Sequence, residues 1–296
     1  MSTFPKIKFR DGELAPGLAF GIGTAWFGKD ATDVVKTALS VGYLHLDNAE
    51  AYGNEAACGK AIKESGVDPS KLYITTKFGA GMKDVTKAID ESLAKLGVDS
   101  VSLALLHWPY DFVKPEFPSM EDAWKGMCEI KKAGKAKSIG VSNFRQRDLE
   151  KIVKSKPAEL PVINQIEFHP FVAKATRDLA DYCKQHDIKL AAYGPTTPIT
   201  KFGGGGFDPV LEKVTKAVSS RTGRDVQASQ VLLKWVAQQG VLVVTTSGKD
   251  WRMKEQLAAY GIADLTNDEM DELVEAAKPE PQRAFMKHMD DHKTEY

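Results

Sequence analysis

Eight short apolar segments with strand character recur along the chain, and segments of helical periodicity separate them. The predicted strands cover residues 18–22, 43–47, 72–77, 101–107, 136–141, 162–167, 189–193 and 241–245. Strands that are apolar almost throughout indicate a parallel sheet with helices on its covered faces. Asp47, Lys77 and His107 end successive strands at a spacing of 30 residues, about one βα unit of a roughly 250-residue barrel. The pattern predicts a (β/α)8 barrel, with a doubly wound sheet as the competing fold.

Further elements are predicted around this repeat. Residues 7–15 have the strand, Asp-Gly turn and strand pattern of a β-hairpin. Apolar periodicity predicts a helix that begins near Val85 and ends before Gly97, and another that is capped by Asp225 and ends at Gly240. The Pro/Gly/Thr-rich segment 195–209 is interpreted as a mobile loop, and a last amphipathic helix is predicted over 267–277.

Composition excludes several functional classes. The chain has 40 Lys and Arg residues against 40 Asp and Glu residues, so it lacks the basic surplus of a nucleic-acid-binding protein. No apolar run is long enough to span a membrane, and the first residues lack a secretory signal, so we expect a cytoplasmic protein. Cys58, Cys128 and Cys183 form no metal-binding or disulfide pattern.

Polar side chains stand where most of the predicted strands end. They are Asp47, Lys77, His107, Ser142, Asn143, Gln165, Glu167, Tyr193, Thr246 and Ser247. The carboxyl ends of barrel strands meet at one mouth, where barrel enzymes keep their active sites. Because core packing gives no reason to place titratable groups there, these residues predict an active site.

Four of the candidate residues suggest proton chemistry. A buried Lys77 needs a counter-charge, and Asp47 on the preceding strand is the obvious partner. Tyr52 lies on the loop after Asp47, and a nearby cation would lower the pKa of its phenol from about 10 toward neutrality. His107 completes the cluster. No serine or cysteine stands in a nucleophile motif, so acyl transfer is not indicated.

Four motifs together resemble those of the aldo-keto reductase family. They are residues 47–55 (DNAEAYGNE), 76–77 (TK), 106–109 (LHWP) and 140–144 (GVSNF), and the resemblance runs from about residue 7 to 277. It implies one domain over residues 1–296, with a hairpin at about 7–15, a barrel at about 18–260 and a C-terminal helix and tail at about 265–296. It also implies extra helices in the loop after the seventh strand and at the C-terminus.

The resemblance further implies a catalytic tetrad and a reaction. Asp47, Tyr52, Lys77 and His107 match the tetrad of a carbonyl reductase that uses a reduced nicotinamide as hydride donor. Tyr52 would protonate the carbonyl oxygen, Lys77 would lower the pKa of Tyr52, Asp47 would hold Lys77, and His107 would orient the carbonyl. Two alternatives stay open: an aldolase-like enzyme that forms a Schiff base at Lys77, and a nucleotide-binding subunit of a membrane channel.

The cofactor residues are also implied by the resemblance, since no Rossmann glycine fingerprint is present. Ser142, Asn143 and Gln165 would bind the nicotinamide carboxamide, Tyr193 would stack on its ring, and the segment 245–252 would bind the phosphates at a helix N-terminus. The complete predicted set is Thr24, Ser142, Asn143, Gln165, Tyr193, Gly194, Pro195, Thr246, Ser247, Lys249, Arg252, Glu255 and Gln256. Thr246 occupies the position of the usual family lysine, so Lys249 is expected to replace it and to favour NADPH over NADH.

The predicted substrate contacts are Trp26, Tyr52, His107 and Trp108. Residues 23–26 (GTAW), 193–195 (YGP) and 245–249 (TTSGK) resemble fungal reductases of α-dicarbonyls, keto-lactones and α-keto amides more than they resemble aldose reductase. We therefore expect a small-molecule carbonyl substrate, no nucleic-acid or membrane partner, and a monomer or weak dimer. His288 and His292 have helical zinc-ligand spacing but lie in a charged tail, so no metal site is predicted.

Overall fold

The first structural unit is an antiparallel hairpin formed by β1 (Lys6–Lys8) and β2 (Leu14–Pro16), as the sequence predicts. The structure, a computed structural model, describes residues 4–277 and 281–290. Ile7 and Ala15 pair across the hairpin and are buried. Within these ranges no helix is long and apolar enough to cross a membrane.

Eight parallel strands follow and close into a barrel, which confirms the predicted fold. They are β3 (Leu18–Gly21), β4 (His45–Asp47), β5 (Tyr73–Phe78), β6 (Val101–Leu106), β7 (Ala136–Ser142), β8 (Ile163–Glu167), β9 (Lys189–Tyr193) and β10 (Leu242–Thr245). Each strand pairs with the next along the chain, and β10 pairs with both β9 and β3. This closure excludes the doubly wound sheet, which has two free edges.

Helices surround the barrel and connect its strands. They are α1 (Thr32–Val41), α2 (Glu55–Ser65), α3 (Val85–Leu96), α4 (Met120–Lys132), α5 (Gln146–Lys154), α6 (Pro170–Gln185), α7 (Thr197–Thr200), α8 (Phe207–Thr222), α9 (Ala228–Ala237), α10 (Asp250–Leu257) and α11 (Asn267–Glu275). The helix predicted from Val85 ends as expected, with Gly97 in the left-handed conformation. The predicted helix at 267–277 ends two residues early, at Glu275.

Two sequence predictions about the part of the chain between β9 and β10 are wrong. Asp225 does not cap α9, because Gln227 precedes the helix and its N–H donates to the side chain of Gln230 at 3.1 Å. The segment 195–209 is not a continuous loop: it contains α7 and the start of α8, which confirms the extra helices that the family resemblance implies after the seventh barrel strand. Pro209 does not prevent this start, since proline lacks only an N–H that the first helical turn leaves unpaired.

In the part of the chain that the structure describes, the buried apolar residues form two clusters, one inside the barrel and one between the strands and the helices. Along β6, Leu103 and Leu105 belong to the inner cluster, whereas Ala104 and Leu106 belong to the outer one. This alternation follows from the two-residue period of a strand. On β5, Tyr73 lies in the inner cluster, so the same period directs Lys77 into the barrel.

Helices α2 and α3 approach so closely that only glycine fits at one position. A Cβ atom added to Gly59 of α2 would overlap the carbonyl oxygen of Lys95 and lie 2.7 Å from that of Leu96. By contrast, a Cβ at Gly126 of α4 would make an ordinary 3.4 Å contact with Val85. Backbone oxygens in a packed helix cannot move aside as a flexible side chain does.

We therefore expect Gly59→Ala to lower the free energy of unfolding by roughly 1–3 kcal/mol, because overpacking outweighs alanine's helix preference. Gly126→Ala is the matched control and should be neutral or stabilising by up to about 1 kcal/mol. Urea unfolding followed by circular dichroism measures both changes. Equal effects of the two substitutions would contradict the close approach of α2 and α3.

Candidate active site

The four predicted catalytic residues lie together at the carboxyl end of the barrel. Asp47 is the last residue of β4, Lys77 precedes the last residue of β5, and His107 directly follows β6. Tyr52 closes a short 3-10 turn on the loop between β4 and α2. Side chains up to 60 positions apart in the chain therefore meet because neighbouring parallel strands end at the same level.

The ammonium group of Lys77 is completely buried and makes three hydrogen bonds. It donates to Asp47 Oδ1 at 2.5 Å, to the carbonyl oxygen of Asn48 at 2.8 Å and to Tyr52 Oη at 3.3 Å. The second carboxylate oxygen of Asp47 accepts from Gln165 Nε2 at 2.8 Å. All three ammonium donors are thus used, which confines the charge to one position beside the phenol.

Electrostatics give Lys77 and Tyr52 definite protonation states. Burial by itself would lower the pKa of Lys77, but the adjacent Asp47 carboxylate outweighs it, and the net pKa is raised. Burial raises the pKa of Tyr52, and the charge of Lys77 only partly opposes that effect. The predicted net lowering of the Tyr52 pKa is therefore wrong in sign, because desolvation of the phenolate exceeds the attraction of the cation. Both groups are protonated at neutral pH.

His107 is a neutral imidazole in this cluster. Burial and the nearby charge of Lys77 hold its pKa well below the usual value. Its ring contacts the ring of Tyr52 edge to face at 5.6 Å and stacks on Trp108 at 4.4 Å. His107 Nδ1 is buried with no hydrogen-bond partner in the described part of the chain. A neutral imidazole donates one hydrogen bond but is a poor acid at neutral pH.

Residues predicted to bind the nicotinamide form one hydrogen-bonded network next to this cluster. Asn143, in the left-handed conformation with φ of 62°, donates to the carbonyl oxygen of His107 at 2.9 Å and accepts from Tyr193 Oη at 2.8 Å. Ser142 donates to the backbone oxygen of Gln165 at 2.7 Å. Gly194, with φ of 64°, and the buried Pro195 follow Tyr193 at the same mouth.

The C-terminal segment 281–290 also reaches this network, which sequence reasoning missed. Glu167, the fully buried last residue of β8, accepts hydrogen bonds from the backbone N–H groups of Ala284 and Phe285, both at 2.9 Å, and contacts His169 at 3.0 Å. The Phe285 ring packs edge to face on Tyr193, and His288 Nε2 lies 3.0 Å from the backbone oxygen of Asn143. In the sequence, the only indication of this contact is Glu167, a polar residue at the end of a strand for which the sequence suggests no partner.

The segment predicted to bind phosphate precedes and opens α10. The Ser247 hydroxyl accepts from the N–H of Lys249 at 3.0 Å, and the Lys249 and Arg252 side chains are exposed. Neither of these two cations forms a salt bridge within residues 4–277 and 281–290, although the Arg252 guanidinium lies 4.9 Å from the Trp251 ring. Thr246 carries a buried hydroxyl without a partner in the same ranges. Exposed cations and an unpaired hydroxyl beside a helix N-terminus fit a phosphate group.

The remaining three residues predicted to bind the cofactor differ in how far they are buried. Gln256 is buried, accepts from Tyr43 Oη at 2.9 Å and donates to Thr245 Oγ1 at 3.1 Å, so it holds the segment in place, and its role toward the cofactor stays a prediction. Glu255 is half-buried and Thr24 is exposed. Their roles toward the cofactor stay predictions.

The two tryptophans predicted to line the substrate site lie in different places. Trp108 is half-buried, stacks on His107 and donates from Nε1 to Asp111 at 2.6 Å. Trp26 instead approaches the segment 245–252, which is predicted to bind phosphate. A Cβ added to Gly248 of this segment would lie 3.5 Å from the Trp26 indole. His292 of the weak metal pattern lies outside the described residues. Among the described ones, no group of three potential ligands gathers to hold a metal ion.

Comparisons with known proteins identify the family. The profile described as Aldo/keto reductase family matches residues 19–278. The chain is 40% identical over 287 residues to the NAD/NADP-dependent indole-3-acetaldehyde reductase of Schizosaccharomyces pombe, covering 95% of this chain and 98% of that protein. It is 33% identical to the NADPH-dependent alpha-keto amide reductase of Saccharomyces cerevisiae, covering 93% and 92%.

A solved structure gives the same result. The Bombyx mori aldo-keto reductase in complex with NADP superposes with a TM-score of 0.84 at 28% identity and covers 96% of each chain. Together with the profile match and the fungal relatives, this establishes that the chain belongs to the aldo/keto reductase family and is an NAD(P)H-dependent oxidoreductase.

Proposed function

We propose that this chain reduces a small aldehyde, ketone or α-dicarbonyl to the alcohol, with NADPH as the preferred cofactor and Tyr52 as the proton donor. The observation that carries the proposal is the 3.3 Å hydrogen bond from the buried Lys77 ammonium to Tyr52 Oη. It places a fixed positive charge where negative charge develops as the phenol gives up its proton. Such charge stabilisation is worth most in a buried, preorganised site.

The hydrogen bonds also set the direction of the Tyr52 proton. Lysine ammonium groups only donate, so Tyr52 Oη accepts from Lys77 and keeps its own O–H for another acceptor. That acceptor is the carbonyl oxygen of the substrate in our proposal. Asp47 and the carbonyl oxygen of Asn48 hold the ammonium in place.

His107 takes the second role at the carbonyl oxygen. Because its imidazole is neutral at neutral pH, it donates a hydrogen bond that orients the substrate without competing with Tyr52 as the acid. The stacked Trp108 and the edge-to-face contact with Tyr52 restrict the ring. A fixed donor beside the proton-donating phenol holds the carbonyl in a reactive geometry.

The nicotinamide and phosphate groups of NADPH have matching residues at this mouth. When bound, the reduced nicotinamide supplies the hydride. Gln165 Oε1 accepts no hydrogen bond in the described ranges and is available to the carboxamide beside Ser142 and Asn143. Lys249 and Arg252 offer two exposed cations to the 2′-phosphate that distinguishes NADPH from NADH.

The names of the relatives support the substrate class. They describe reductases of indole-3-acetaldehyde and of alpha-keto amides, all of which carry a reducible carbonyl. The Schiff-base alternative is disfavoured, because Lys77 is fully buried, bound at all three donors and protonated at neutral pH. The hydrogen bonds around Lys77 give no support to the channel-subunit alternative, because binding a nucleotide does not require these four catalytic residues.

Tyr52→Phe should reduce turnover by at least about 100-fold, because a positioned general acid contributes roughly that much. NADPH affinity should stay within about twofold of the original, since the phenol is not among the groups proposed to bind the cofactor. Tyr73→Phe is the matched control, since the buried Tyr73 hydroxyl has no partner in the described ranges. NADPH oxidation and calorimetric titration measure both, and near-normal turnover of the Tyr52 variant would refute the assignment.

Lys77→Met should be comparably severe and should alter the pH dependence of any residual activity. Removing the cation raises the pKa of Tyr52 further, because the charge of Lys77 is what opposes the effect of burial. Reduction needs the protonated phenol and is lost as the pH rises through that pKa. The alkaline limb of the rate profile should therefore move to higher pH. An unmoved limb would indicate another proton donor.

Lys249→Ala and Arg252→Ala should each weaken NADPH binding by about tenfold or more and NADH binding much less, because charge-assisted hydrogen bonds contribute about 1.5–3 kcal/mol. Lys254→Ala is the control, as Lys254 lies on the same helix and pairs with Asp250. Calorimetric titration with both cofactors gives the affinity ratio. If neither substitution changes that ratio, the NADPH preference does not come from this segment.

A further inference from the structure

The loop between β3 and α1 carries two consecutive aromatic residues, Trp26 and Phe27, whose side chains contact different parts of the site. Its backbone is fastened to the turn that carries Tyr52. The N–H of Gly28 donates to the carbonyl oxygen of Tyr52 at 2.8 Å, and Asn54 Nδ2 donates to the carbonyl oxygen of Trp26 at 2.8 Å. These two bonds position both aromatic residues relative to the proposed proton donor.

Phe27 faces the phenol. Its ring centroid lies 6.3 Å from that of Tyr52 with an interplanar angle of 58°, within the range of interacting aromatic pairs. Among the described residues, Phe27 and His107 are therefore the aromatic neighbours of Tyr52. Phe27 is nevertheless 60% exposed, the largest exposure among the large apolar side chains in the described ranges. An apolar ring held beside a reactive hydroxyl and left open to solvent is available to contact a bound molecule.

The side chain of Trp26 faces the segment 245–252, which is predicted to bind the cofactor phosphates. Its indole approaches Gly248, and its Nε1 is buried without a partner in the described part of the chain. The indole is thus half-buried between its own loop and the segment that precedes α10. A buried N–H that lacks an acceptor is costly unless a ligand supplies one.

We propose that Phe27, and not Trp26, is the aromatic residue of this loop that determines substrate specificity. Phe27 forms an apolar wall of the carbonyl site, and Trp26 belongs to the cofactor side. The inference rests on the proposed function, since the wall has meaning only if a carbonyl group binds at Tyr52. It assigns to the enzyme carbonyl compounds that bear a flat or bulky apolar substituent, which the Phe27 ring contacts.

The distribution of exposed apolar side chains supports this assignment. The exposed large apolar residues in the described ranges are Leu14, Phe27, Leu44, Val113 and Trp251. Phe27, Val113 and Trp251 follow β3, β6 and β10 within seven residues, so three of the five stand shortly after the carboxyl end of a barrel strand. Of these three, only Phe27 has a ring contact with a member of the tetrad. Apolar surface concentrated around a polar centre is typical of small-molecule sites.

Two substrates that share the reacting group and differ only in the substituent test the proposal. Phenylglyoxal and methylglyoxal are both α-dicarbonyls, with a phenyl and a methyl group respectively. Phe27→Ala should lower the kcat/KM ratio of phenylglyoxal to methylglyoxal by about tenfold, because a lost apolar contact discriminates at that level. Phe27→Leu should retain part of the preference. NADPH affinity should be unchanged in both variants.

Trp26→Ala and Leu14→Ala complete the design. Trp26→Ala should weaken NADPH binding, measured by calorimetry, and leave the substrate ratio unchanged. Leu14→Ala removes a comparably exposed apolar side chain in the hairpin, remote from the mouth, and should change neither quantity. An unchanged ratio in Phe27→Ala, or an equal fall of the ratio in Trp26→Ala, overturns the inference while the proposed reduction stands. If the unmodified protein oxidises NADPH with neither compound, nor with benzaldehyde or acetone, the proposed reduction of small carbonyl compounds is itself overturned.

Discussion

A lysine ammonium enclosed in a barrel is unfavourable unless its charge and all its donors are satisfied, and the candidate site is organised around that requirement. Asp47 neutralises Lys77, the carbonyl oxygen of Asn48 takes a second donor, and Tyr52 takes the third. Gln165 binds the remaining oxygen of Asp47. Strand β4, the loop that follows it and strand β8 are therefore connected to the charged group on β5, and the position of the phenol follows from these bonds.

The same charge separates the roles of the two candidate donors. It opposes the increase that burial causes in the pKa of Tyr52 and lowers the pKa of His107. A cation stabilises the phenolate that proton donation produces, but it destabilises a protonated imidazole. One group thus becomes suited to give a proton and the other to give a neutral hydrogen bond. A bare list of the four residues does not contain this distinction.

Close packing and the C-terminal segment hold the rings in place around this centre. A Cβ at Gly23 would lie 2.7 Å from the Tyr52 ring. Because glycine has no Cβ, the phenol ring packs directly against the backbone that follows β3. On the other side of the mouth, Glu167 captures two consecutive N–H groups of the C-terminal segment. That anchor brings Phe285 onto Tyr193 and His288 onto the backbone of Asn143. The segment thereby supports two residues that we propose bind the nicotinamide.

The sequence by itself determined the barrel, because strand periodicity and the 30-residue spacing are local properties that translate directly into repeated βα units. It also determined which residues gather at the mouth, since parallel strands all end there. The family motifs supplied the roles, and the comparisons established the family. Helix α3 was predictable to the residue because its start and its glycine stop are both local signals.

Only the tertiary structure decided features that depend on side chains meeting across the fold. The start of α9 depended on the Gln230 side chain accepting the N–H of Gln227, and the net pKa direction of Tyr52 depended on how much burial outweighs one cation. The inward turn of Gln256, the contact of Trp26 with Gly248 and the exposure of Phe27 beside Tyr52 have no counterpart in sequence spacing. The physical reason is common to all of them: pattern specifies which face a residue occupies, whereas desolvation and contact depend on distances between segments remote in the chain.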